Sequence, residues 1–591
     1  MERADSRPAA PPLNPTPAIA DEAGWRRLAY ALLALAAILF FARLGVRALW
    51  ASEFRWGEIS REMRLTGNYL WPTINGRVYY DKPLGSYWLV VASAYVTGDM
   101  NEAAARLPCA IAGLLALAFL ILLARRLYDL RTGVAAGLIL ATSFSFVFYS
   151  RSASADVATI TGELAALLLF LRHEDRPDGW WLVPLWLVMA VTSQMKGLLG
   201  FVLPIVVIGS YCTLADGWAE LGRRLARGPF ADRLRWVAAR NRWFFNWKTP
   251  VAAAIGLAVY YLPFALSRVH TGSGRGLYMV YRENVQRYFE PFDHRGPIYL
   301  YTYVIFALMA PWSVFLPAAL AEAHQRRRAH AEGARSDRFT LVFFWATFAF
   351  FTLSGSRRSY YILPIVPAAA ILVARILLVT PDRLTHLTRR LIAIGFAVFV
   401  VAIALATLTF VPPRYFMPAP YSQLPPAPDL PVFAIFWLGA IAAIIYVLRN
   451  YDPRRLLPTV GAATYLFMIY FFVFAMPAGD AYRSEKPFAK QVLALIGNDA
   501  SGLALFKNQG PIFYLNLPQP VPEYDRMADL NAAISAGRVH WLIVRRRDLA
   551  SITSAGHPLA AETLYPWDST AHGLNTMVLV PIAPASATPP Q

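Results

Sequence analysis

The sequence predicts an all-α polytopic membrane protein of about thirteen transmembrane helices, followed by a small C-terminal α/β domain outside the membrane. Of its 591 residues, 57% are hydrophobic and only 16% are charged, and a soluble protein of this length cannot cover so much apolar surface. The net charge of +19 does not indicate nucleic-acid binding, because the basic residues lie between apolar segments rather than on one soluble domain. Cationic loops beside membrane spans are the expected orientation signal.

The hydropathy pattern divides the chain into three regions. Residues 1–24 are rich in proline and alanine and predict a disordered cytoplasmic tail, residues 25–478 predict a transmembrane domain with an outer loop at 50–100, and residues 479–591 predict the α/β domain. A span needs roughly 17–25 apolar residues, so the short apolar segment 84–98 is predicted to lie at the interface or to re-enter. The candidate spans are 27–49, 103–124, 132–150, 157–171, 180–194, 197–215, 250–266, 298–322, 339–354, 361–379, 391–412, 431–448 and 457–476.

Arginine and lysine orient these spans. With a cytoplasmic N-terminus, every loop on the cytoplasmic side is basic, as the positive-inside rule requires. The longest of these loops has eight basic residues between Arg223 and Lys248. Because the number of predicted spans is odd, the C-terminal domain is then placed outside.

Two outer loops break this rule, and a third, short one adds Arg357 and Arg358. Cations on the outer side oppose the orientation signal, and binding an anionic head group at the outer face explains them. The alternative is pairing with local acids such as Glu62 and Glu283. The basic residues of the two loops are Arg55, Arg61, Arg64, Arg77 and Lys82 in the first, and Arg268, Arg275, Arg282, Arg287 and Arg295 in the second.

The region 479–591 changes character. Three apolar segments, 502–506, 540–544 and 576–581, are typical of buried strands, and the periodicity predicts helices over 484–496 and 527–536. This pattern predicts the α/β domain and contains no catalytic constellation of its own.

The first outer loop has the densest set of acids, bases and aromatics in the chain. Glu53 and Arg55 follow the first predicted span almost directly, and Lys82 precedes a proline suited to a first helical turn. We expect Glu53 to supply a carboxylate at a reaction centre while Arg55 and Lys82 hold a phosphate. The alternative is a solvated interfacial helix whose charges at 58–62 pair with one another.

Asp156 lies in a short outer turn between two predicted spans. A carboxylate at the membrane boundary predicts a functional role, and the alternative is a helix N-cap. His270 and His294 each stand alone, and Cys109 and Cys212 are predicted to be small apolar fillers inside spans. No metal site, disulfide or cofactor is therefore predicted, although the pattern leaves a divalent metal open.

These motifs occur in a particular order. Glu53-Phe-Arg-Trp is followed by Glu-Ile-Ser-Arg-Glu-Met over 58–63 and by Tyr80-Asp-Lys-Pro; later come Ala-Arg-Leu-Pro over 105–108, Asp156, Lys196-Gly197, Glu283-Asn284, Arg287, Pro311-Trp312 and Tyr361-Ile-Leu-Pro. The ordered set resembles the polytopic glycosyltransferases of the dolichyl-phosphate-mannose-protein mannosyltransferase type (GT-C type, glycosyltransferase family 39-like). Within them it is most similar to the bacterial lipid A aminoarabinose transferases. Two residues depart from the family pattern: Ser52 stands where the family has an aspartate, and Trp56 stands where it has a tyrosine, which is the milder change.

The resemblance implies roles for particular residues. Glu53, Asp156 and Lys82 are the expected catalytic residues, with the carboxylates acting as base for a hydroxyl acceptor or orienting an amino sugar. A phosphate acceptor would need no base. The residues expected to bind the donor phosphate are Arg55, Lys82, Arg275, Arg287 and Arg358, and those expected to line the cavity are Tyr80, Glu58, Arg61, Tyr360 and Tyr361.

The resemblance also implies a function. We expect an inverting glycosyltransferase in the bacterial inner membrane that moves a pentose, aminopentose or hexose from a polyprenyl-phosphate donor, such as an undecaprenyl-phosphate sugar, to lipid A or a related cell-envelope glycolipid. Its other partners would be membrane lipids. The alternatives are a protein O-glycosyltransferase of the same fold and, in a different class, a non-enzymatic flippase of lipid-linked sugars. The chain has no clear internal repeat, which favours an enzyme over a carrier.

Overall fold

A computed structural model describes residues 19–50, 52–215, 218–226, 229–328, 333–406, single positions between 434 and 446, 453–478, 480, 484–497, 500–552 and 576–582. Most of the predicted tail at 1–24 and much of the predicted span 431–448 lie outside these residues. The described chain is mostly helical, with two short hairpin strands near its start and a four-stranded sheet near its end.

The helices follow the apolar segments. They are α1 Ile19–Phe41, α2 Glu53–Thr66, α3 Leu84–Thr97, α4 Glu102–Leu127, α5 Leu130–Ala141, α6 Phe144–Ser150, α7 Asp156–His173, α8 Leu182–Lys196, α9 Leu199–Thr213, α10 Trp218–Ala226, α11 Phe230–Arg240, α12 Lys248–Thr271, α13 Arg275–Val280, α14 Arg287–Phe289, α15 Leu300–Leu308, α16 Leu316–Arg328, α17 Ala334–Leu353, α18 Val366–Leu378, α19 His386–Ala406, α20 Pro453–Ile469, α21 Met476–Ala478, α22 Lys486–Ile496, α23 Ile512–Leu515, α24 Met527–Ser535 and α25 Arg546–Leu549. A π-helical turn, Tyr281–Gln286, joins α13 to α14.

Five helical segments in the described chain are long and apolar enough to cross a membrane, or six if the bent pair α5–α6 is one span. The protein is therefore a multi-pass membrane protein. Other apolar helices, such as α8 and α9, are shorter. The total of thirteen spans stays a prediction.

Three predicted spans differ from the helices in the structure. The predicted span 27–49 is too long, because α1 ends at Phe41. The predicted span 132–150 is not one helix but two, α5 and α6, bent by 72°. The hydroxyls of Thr142 and Ser143 donate to carbonyls four residues earlier, at 2.6 and 2.7 Å, and such bonds bend helices.

The third of these spans, 298–322, is interrupted between α15 and α16. Pro311 lies at the interruption and has no backbone N–H to donate, so the helical ladder cannot pass through it. A 3₁₀ turn, Trp312–Phe315, follows. The indole of Trp312 is fully buried and donates to the Thr142 hydroxyl at 2.8 Å, so the two helix breaks are bonded to each other.

Small residues allow the central helices to pack closely. The span that contains α18 is 83% buried and lies in the middle of the bundle. Where α7 passes α8, an added Cβ on Gly162 would lie only 1.7 Å from the Thr192 hydroxyl oxygen. Close backbone approach at small residues is how membrane helices gain packing contacts.

The C-terminal sheet contains β3 Leu503–Phe506, β4 Glu523–Tyr524, β5 Trp541–Arg545 and β6 Met577–Pro581, in the order β4-β3-β5-β6. β3 is parallel to both β4 and β5, and β6 is antiparallel to β5. Alternate strand residues face opposite sides of a sheet. One face therefore packs on α22 and the other on α24, which gives the segment two apolar cores.

This C-terminal unit docks on the first long loop of the chain. The loop contains a hairpin of β1 Thr73–Ile74 and β2 Arg77–Val78. The Asn75 side chain at its turn donates to the Val521 carbonyl and accepts from the Val521 N–H, both at 2.7 Å. Arg77 adds ion pairs to Glu523 and Asp525. The loop is therefore packed between the helical bundle and the sheet.

We predict that Gly162→Ala loosens the α7–α8 contact. The new methyl group must push Thr192 away, and overpacking of this kind costs about 1–3 kcal/mol. The thermal unfolding midpoint of the purified protein in detergent should fall. Gly24→Ala is the matched control, because Gly24 lies in α1 with nothing within 4 Å of an added Cβ. Equal midpoints for the two variants would contradict this packing.

Candidate functional site

A buried ion-pair network fixes the start of α2. Both oxygens of Glu53 are occupied: Oε1 accepts from Arg106 Nε at 2.8 Å and from the Ala153 N–H at 2.9 Å, and Oε2 accepts from Arg47 at 2.8 Å and from the Trp50 N–H at 3.0 Å. Burial alone would raise the pKa of Glu53, but the Arg106 and Arg47 guanidiniums more than offset it and hold the pKa at about 2. Glu53 is therefore a buried anion.

Arg106 is the partner that extends this network to the end of α1. Its side chain is 1% exposed, and its guanidinium also donates to the carbonyls of Leu44, Arg47 and Ala48 at 2.5 to 3.0 Å. Those carbonyls follow the end of α1, so they have no helical partners of their own. The expected catalytic role of Glu53 is not supported by this environment, because its oxygens already bind five donor contacts from fixed groups.

Glu58 and Arg61 form a buried ion pair of their own. Arg61 donates to both oxygens of Glu58 at 2.7 and 2.8 Å, and both side chains are buried. Arg61 further donates to the Leu517 carbonyl at 3.0 Å. The pair therefore joins α2 to the C-terminal unit, and its expected place in the lining of the reaction cavity stays a prediction.

Lys82 and Arg55 do come together, around Asp81. Lys82 Nζ lies 3.1 Å from one oxygen of Asp81, and Arg55 Nη1 lies 3.9 Å from the other. Burial opposes the charge of Asp81, but Lys82, Arg55 and Arg287 together lower its pKa. The Lys82 side chain is 22% exposed. A partly exposed lysine beside an ionised carboxylate can exchange that partner for a phosphate.

Arg287 forms the second side of the site. It pairs with Glu283 at 2.9 Å and Asp293 at 3.1 Å, and it donates to the Tyr361 hydroxyl at 3.0 Å. Burial raises the pKa of Glu283, although the charges of Lys82 and Arg287 act against this shift. Since Lys82 acts on Glu283 and Arg287 acts on Asp81, the two sides face each other.

Asp156 and Lys196 complete the arrangement. They form an ion pair between the first residue of α7 and the last of α8. Lys196 Nζ also lies 5.3 Å from the ring centre of Tyr361 and 5.7 Å from that of Tyr360, within cation–π range. The eight residues that these contacts connect are called the charged cluster: Asp81, Lys82, Asp156, Lys196, Glu283, Arg287, Tyr360 and Tyr361.

The charged cluster lies at one end of the helical bundle. α3, α7 and the 3₁₀ turn before α18 begin there, and α8 ends there. The π-helical turn Tyr281–Gln286 is held against it, because the Asn284 side chain accepts from the Leu198 N–H at 2.8 Å. Gly197 has a φ of 88°, and an added Cβ would lie 2.5 Å from Asn284. A glycine is therefore required at this turn.

The other predicted site residues lie around the cluster or outside it. Arg358 donates to the Tyr360 hydroxyl at 3.0 Å, so it borders the cluster. Tyr80 packs between Trp71 and Phe264. Arg275 is exposed and has no ion pair with the cluster among the described residues, so the structure does not bring it to the site. Ser52 is exposed and its side chain does not cap α2.

Sequence reasoning did not place Asp81, Lys196, Glu283, Asp293 or Arg106 among the site residues. Lys196 and Glu283 stood in recognised motifs, so a signal for them existed. Asp81 directly precedes Lys82, but adjacent residues in a loop need not share a partner. Arg106 lies in an apolar helix, where a lone charge indicates a buried partner.

The arrangement is suited to an anion. Lys82, Lys196 and Arg287 converge with the Tyr361 hydroxyl on one region, and each cation is at present balanced by a carboxylate. Partly buried cations bind phosphate oxygens through charge-assisted hydrogen bonds. The carboxylates Asp156 and Glu283 lie in the same region and can accept protons or bind polar groups of a ligand.

The chain is similar to known families. The sequence model of the family described as dolichyl-phosphate-mannose-protein mannosyltransferase matches residues 81–226, which include Asp81, Lys82, Asp156 and Lys196. An undecaprenyl phosphate-α-4-amino-4-deoxy-L-arabinose arabinosyl transferase 1 of Pseudomonas fluorescens is 28% identical over 65% of this chain and 66% of its own length.

A second curated relative and a solved structure are also similar to this chain. The arabinosyl transferase of the same description from Pseudomonas aeruginosa is 29% identical over 60% of each chain. The matches thus span about 60 to 66% of these curated relatives' length. The crystal structure of ArnT from Cupriavidus metallidurans bound to undecaprenyl phosphate superimposes with a TM-score of 0.67 at 21% identity, over 96% of this chain and 99% of that one. The fold is therefore ArnT-like, of the GT-C type.

We predict that Glu53→Gln destabilises the protein. Removing one partner of a buried ion pair costs about 3–5 kcal/mol, so the unfolding midpoint should fall markedly. In the wild type, the contribution of Glu53 is present above its unfolded pKa of 4.5 and is lost as the pH falls toward the folded pKa of about 2. Thermal unfolding between pH 6 and pH 3 measures this loss, which Glu53→Gln should reduce.

Glu220→Gln is the control for Glu53→Gln. Glu220 pairs with Arg223 and Arg224 in α10, and surface ion pairs contribute little, so its midpoint should match the wild type. If Glu53→Gln unfolds like the wild type yet has no activity, the carboxylate acts in chemistry and the positioning role is wrong.

Proposed function

We propose that the protein is an inverting glycosyltransferase that uses a polyprenyl-phosphate sugar. The acceptor is lipid A or a related cell-envelope glycolipid, and the transferred sugar is a pentose, aminopentose or hexose. The observation that carries this proposal is the convergence of Lys82, Arg287 and Lys196 at one end of a membrane bundle. The ArnT-like fold and the arabinosyl transferase relatives support it.

In the proposed reaction, an acceptor oxygen attacks the anomeric carbon of the sugar. A new glycosidic bond forms on one face of that carbon while its bond to the donor phosphate oxygen breaks on the other face, and the electron pair leaves with the polyprenyl phosphate. Negative charge grows on the phosphate during this step. Lys82 and Arg287 stabilise that charge, and fixed charges aimed at a developing anion are an effective source of catalysis.

We assign the carboxylates different roles. Glu283 has a raised pKa because of its burial, which suits it to take the proton from an acceptor hydroxyl. Asp156 orients Lys196 and the bound sugar. A phosphate acceptor would transfer without a base, and Glu283 would then bind a polar group of the substrate. No step in this proposal calls for a metal or a cofactor.

The proposed orientation of the protein in the membrane is based on the distribution of its basic residues among the loops. We propose that it lies in the bacterial inner membrane with the N-terminus cytoplasmic and the C-terminal unit periplasmic. The C-terminal unit contacts the loop that precedes the charged cluster, so the two lie on the same side of the bundle. Lipid-linked donor and glycolipid acceptor would both reach the cluster from the outer leaflet.

The test is sugar transfer by purified Lys82→Ala. Loss of one charge-stabilising group should lower kcat by roughly 10²–10³-fold, measured with a labelled undecaprenyl-phosphate aminoarabinose donor and lipid A. Lys490→Ala is the matched control, because Lys490 is exposed on α22. Transfer at the wild-type rate by Lys82→Ala would contradict the proposal.

A second arm separates the enzyme from a carrier. Wild-type protein in liposomes should transfer label to lipid A and yield free undecaprenyl phosphate. Movement of intact labelled donor across the bilayer without its cleavage would identify a flippase. Transfer to protein hydroxyls but not to lipid A would identify a protein glycosyltransferase.

A further inference from the structure

A polar cavity lies at the edge of the C-terminal sheet, outside the charged cluster. Its volume is about 440 Å³, within the range of small-molecule sites. Its wall is built from residues at the carboxyl ends of three strands. Lys507, Asn508 and Gln509 follow β3, Asp525 follows β4, and Arg545 ends β5.

The topology explains why these side chains converge. β3 lies between β4 and β5 in the sheet. The chain therefore adds β4 on one side of β3 and then crosses over to add β5 on the other side. The three strands are parallel, and their carboxyl ends therefore meet at one edge. Open α/β sheets bind ligands at such an edge, where the strand order reverses.

The chemistry of the wall is mixed. Arg545 is partly buried, and its Nε has no hydrogen-bond partner among the described residues. Lys507 is exposed and has a φ of 51°, a left-handed conformation that is uncommon for a residue with a side chain. These two cations face amide and carboxylate groups, including Gln509 and Glu523, which bond to each other at 2.8 Å.

This combination fits a phosphorylated saccharide. Arginine and lysine bind phosphate oxygens, whereas amides and carboxylates bind sugar hydroxyl and amino groups, which both donate and accept hydrogen bonds. Glu523 and Asp525 disfavour a purely anionic ligand even though both pair with Arg77, and an uncharged sugar would leave the charge of Arg545 without a counter-ion.

The cavity is close to the charged cluster. Phe54 lines the cavity, and the next residue in α2, Arg55, pairs with Asp81 beside Lys82. The first turn of α2 therefore separates the two sites.

We propose that this cavity binds the phosphorylated saccharide head group of the glycolipid acceptor. This assignment rests on the proposed glycosyl transfer, because it gives the acceptor a site of its own beside the donor phosphate site. Arg545 and Lys507 bind the phosphate, and Gln509, Glu523 and Asp525 bind the sugar.

The direct test is ligand binding to the purified full-length protein in detergent, with glucosamine 1-phosphate as the probe and saturation-transfer NMR as the measurement. Arg545→Gln and Lys507→Gln should each weaken binding about tenfold. Arg526→Gln is the matched control, because Arg526 lies on the same unit, is exposed and pairs with Asp529, and it should bind like the wild type.

Several outcomes would overturn the proposal. No binding by the wild type, or unchanged binding by both cavity variants, would exclude the site. Equal affinity for inorganic phosphate and for glucosamine 1-phosphate would show an anion site without sugar recognition. Loss of binding in Lys82→Ala alone would place the probe in the charged cluster instead.

A kinetic readout separates this proposal from the proposed function. In sugar transfer to lipid A, Arg545→Gln should raise the KM for the acceptor about tenfold and leave the KM for the donor unchanged. If glucosamine 1-phosphate binds as expected but no transfer occurs, the cavity is a phosphorylated-saccharide site, and its role as an acceptor site fails together with the transferase assignment. If transfer occurs and the acceptor KM is unchanged in both cavity variants, the cavity assignment fails alone.

Discussion

The ion pair between Arg106 and Glu53 is the constraint on which the rest of the site depends. One guanidinium in α4 holds the carbonyls after α1, the carboxylate that begins α2 and, through that carboxylate, the N–H of Ala153 just before α7. When one residue of a buried ion pair is removed, the charge of the other residue is left uncompensated, which is strongly destabilising. Three chain segments far apart in sequence are thereby fixed in one geometry, and Arg55 and Asp156 are carried on two of them.

The charged cluster is balanced differently. Its cations are paired with carboxylates that are less completely enclosed, and Asp81 and Glu283 have pKa values shifted in opposite directions. The Arg106–Glu53 pair is enclosed by fixed partners, whereas Lys82 is 22% exposed and therefore open to a second anion. This difference in burial supports a structural role for the Arg106–Glu53 pair and the proposed binding role of Lys82, which lies later in the same outer loop.

The C-terminal unit packs against the first outer loop of the helical bundle. Asn75 and Arg61 bind it to the loop that carries Lys82, and the start of α2 lies between the charged cluster and the cavity at the sheet edge. Two polar sites on either side of one helical turn would let a donor and an acceptor be held independently and still meet. The sheet contributes this second site through its topology, because parallel strands bring their carboxyl ends together.

The sequence by itself determined the membrane class and three strands and two helices of the C-terminal unit, and it selected Lys82, Asp156, Arg287 and Tyr361 as candidate site residues, because periodicity, hydropathy and motif order are local properties of the chain. The two-residue strand β4 was too short to give a pattern. Only the tertiary structure decided that Glu53, Glu58 and Arg61 are buried and paired, that Lys196 faces Asp156, and that two predicted spans are broken at Thr142 and Pro311. The physical reason is that the role of a charged side chain depends on which opposite charge lies beside it and on how much of the side chain is exposed to water. Arg106 and Glu53 are 53 residues apart, so no local pattern records their contact.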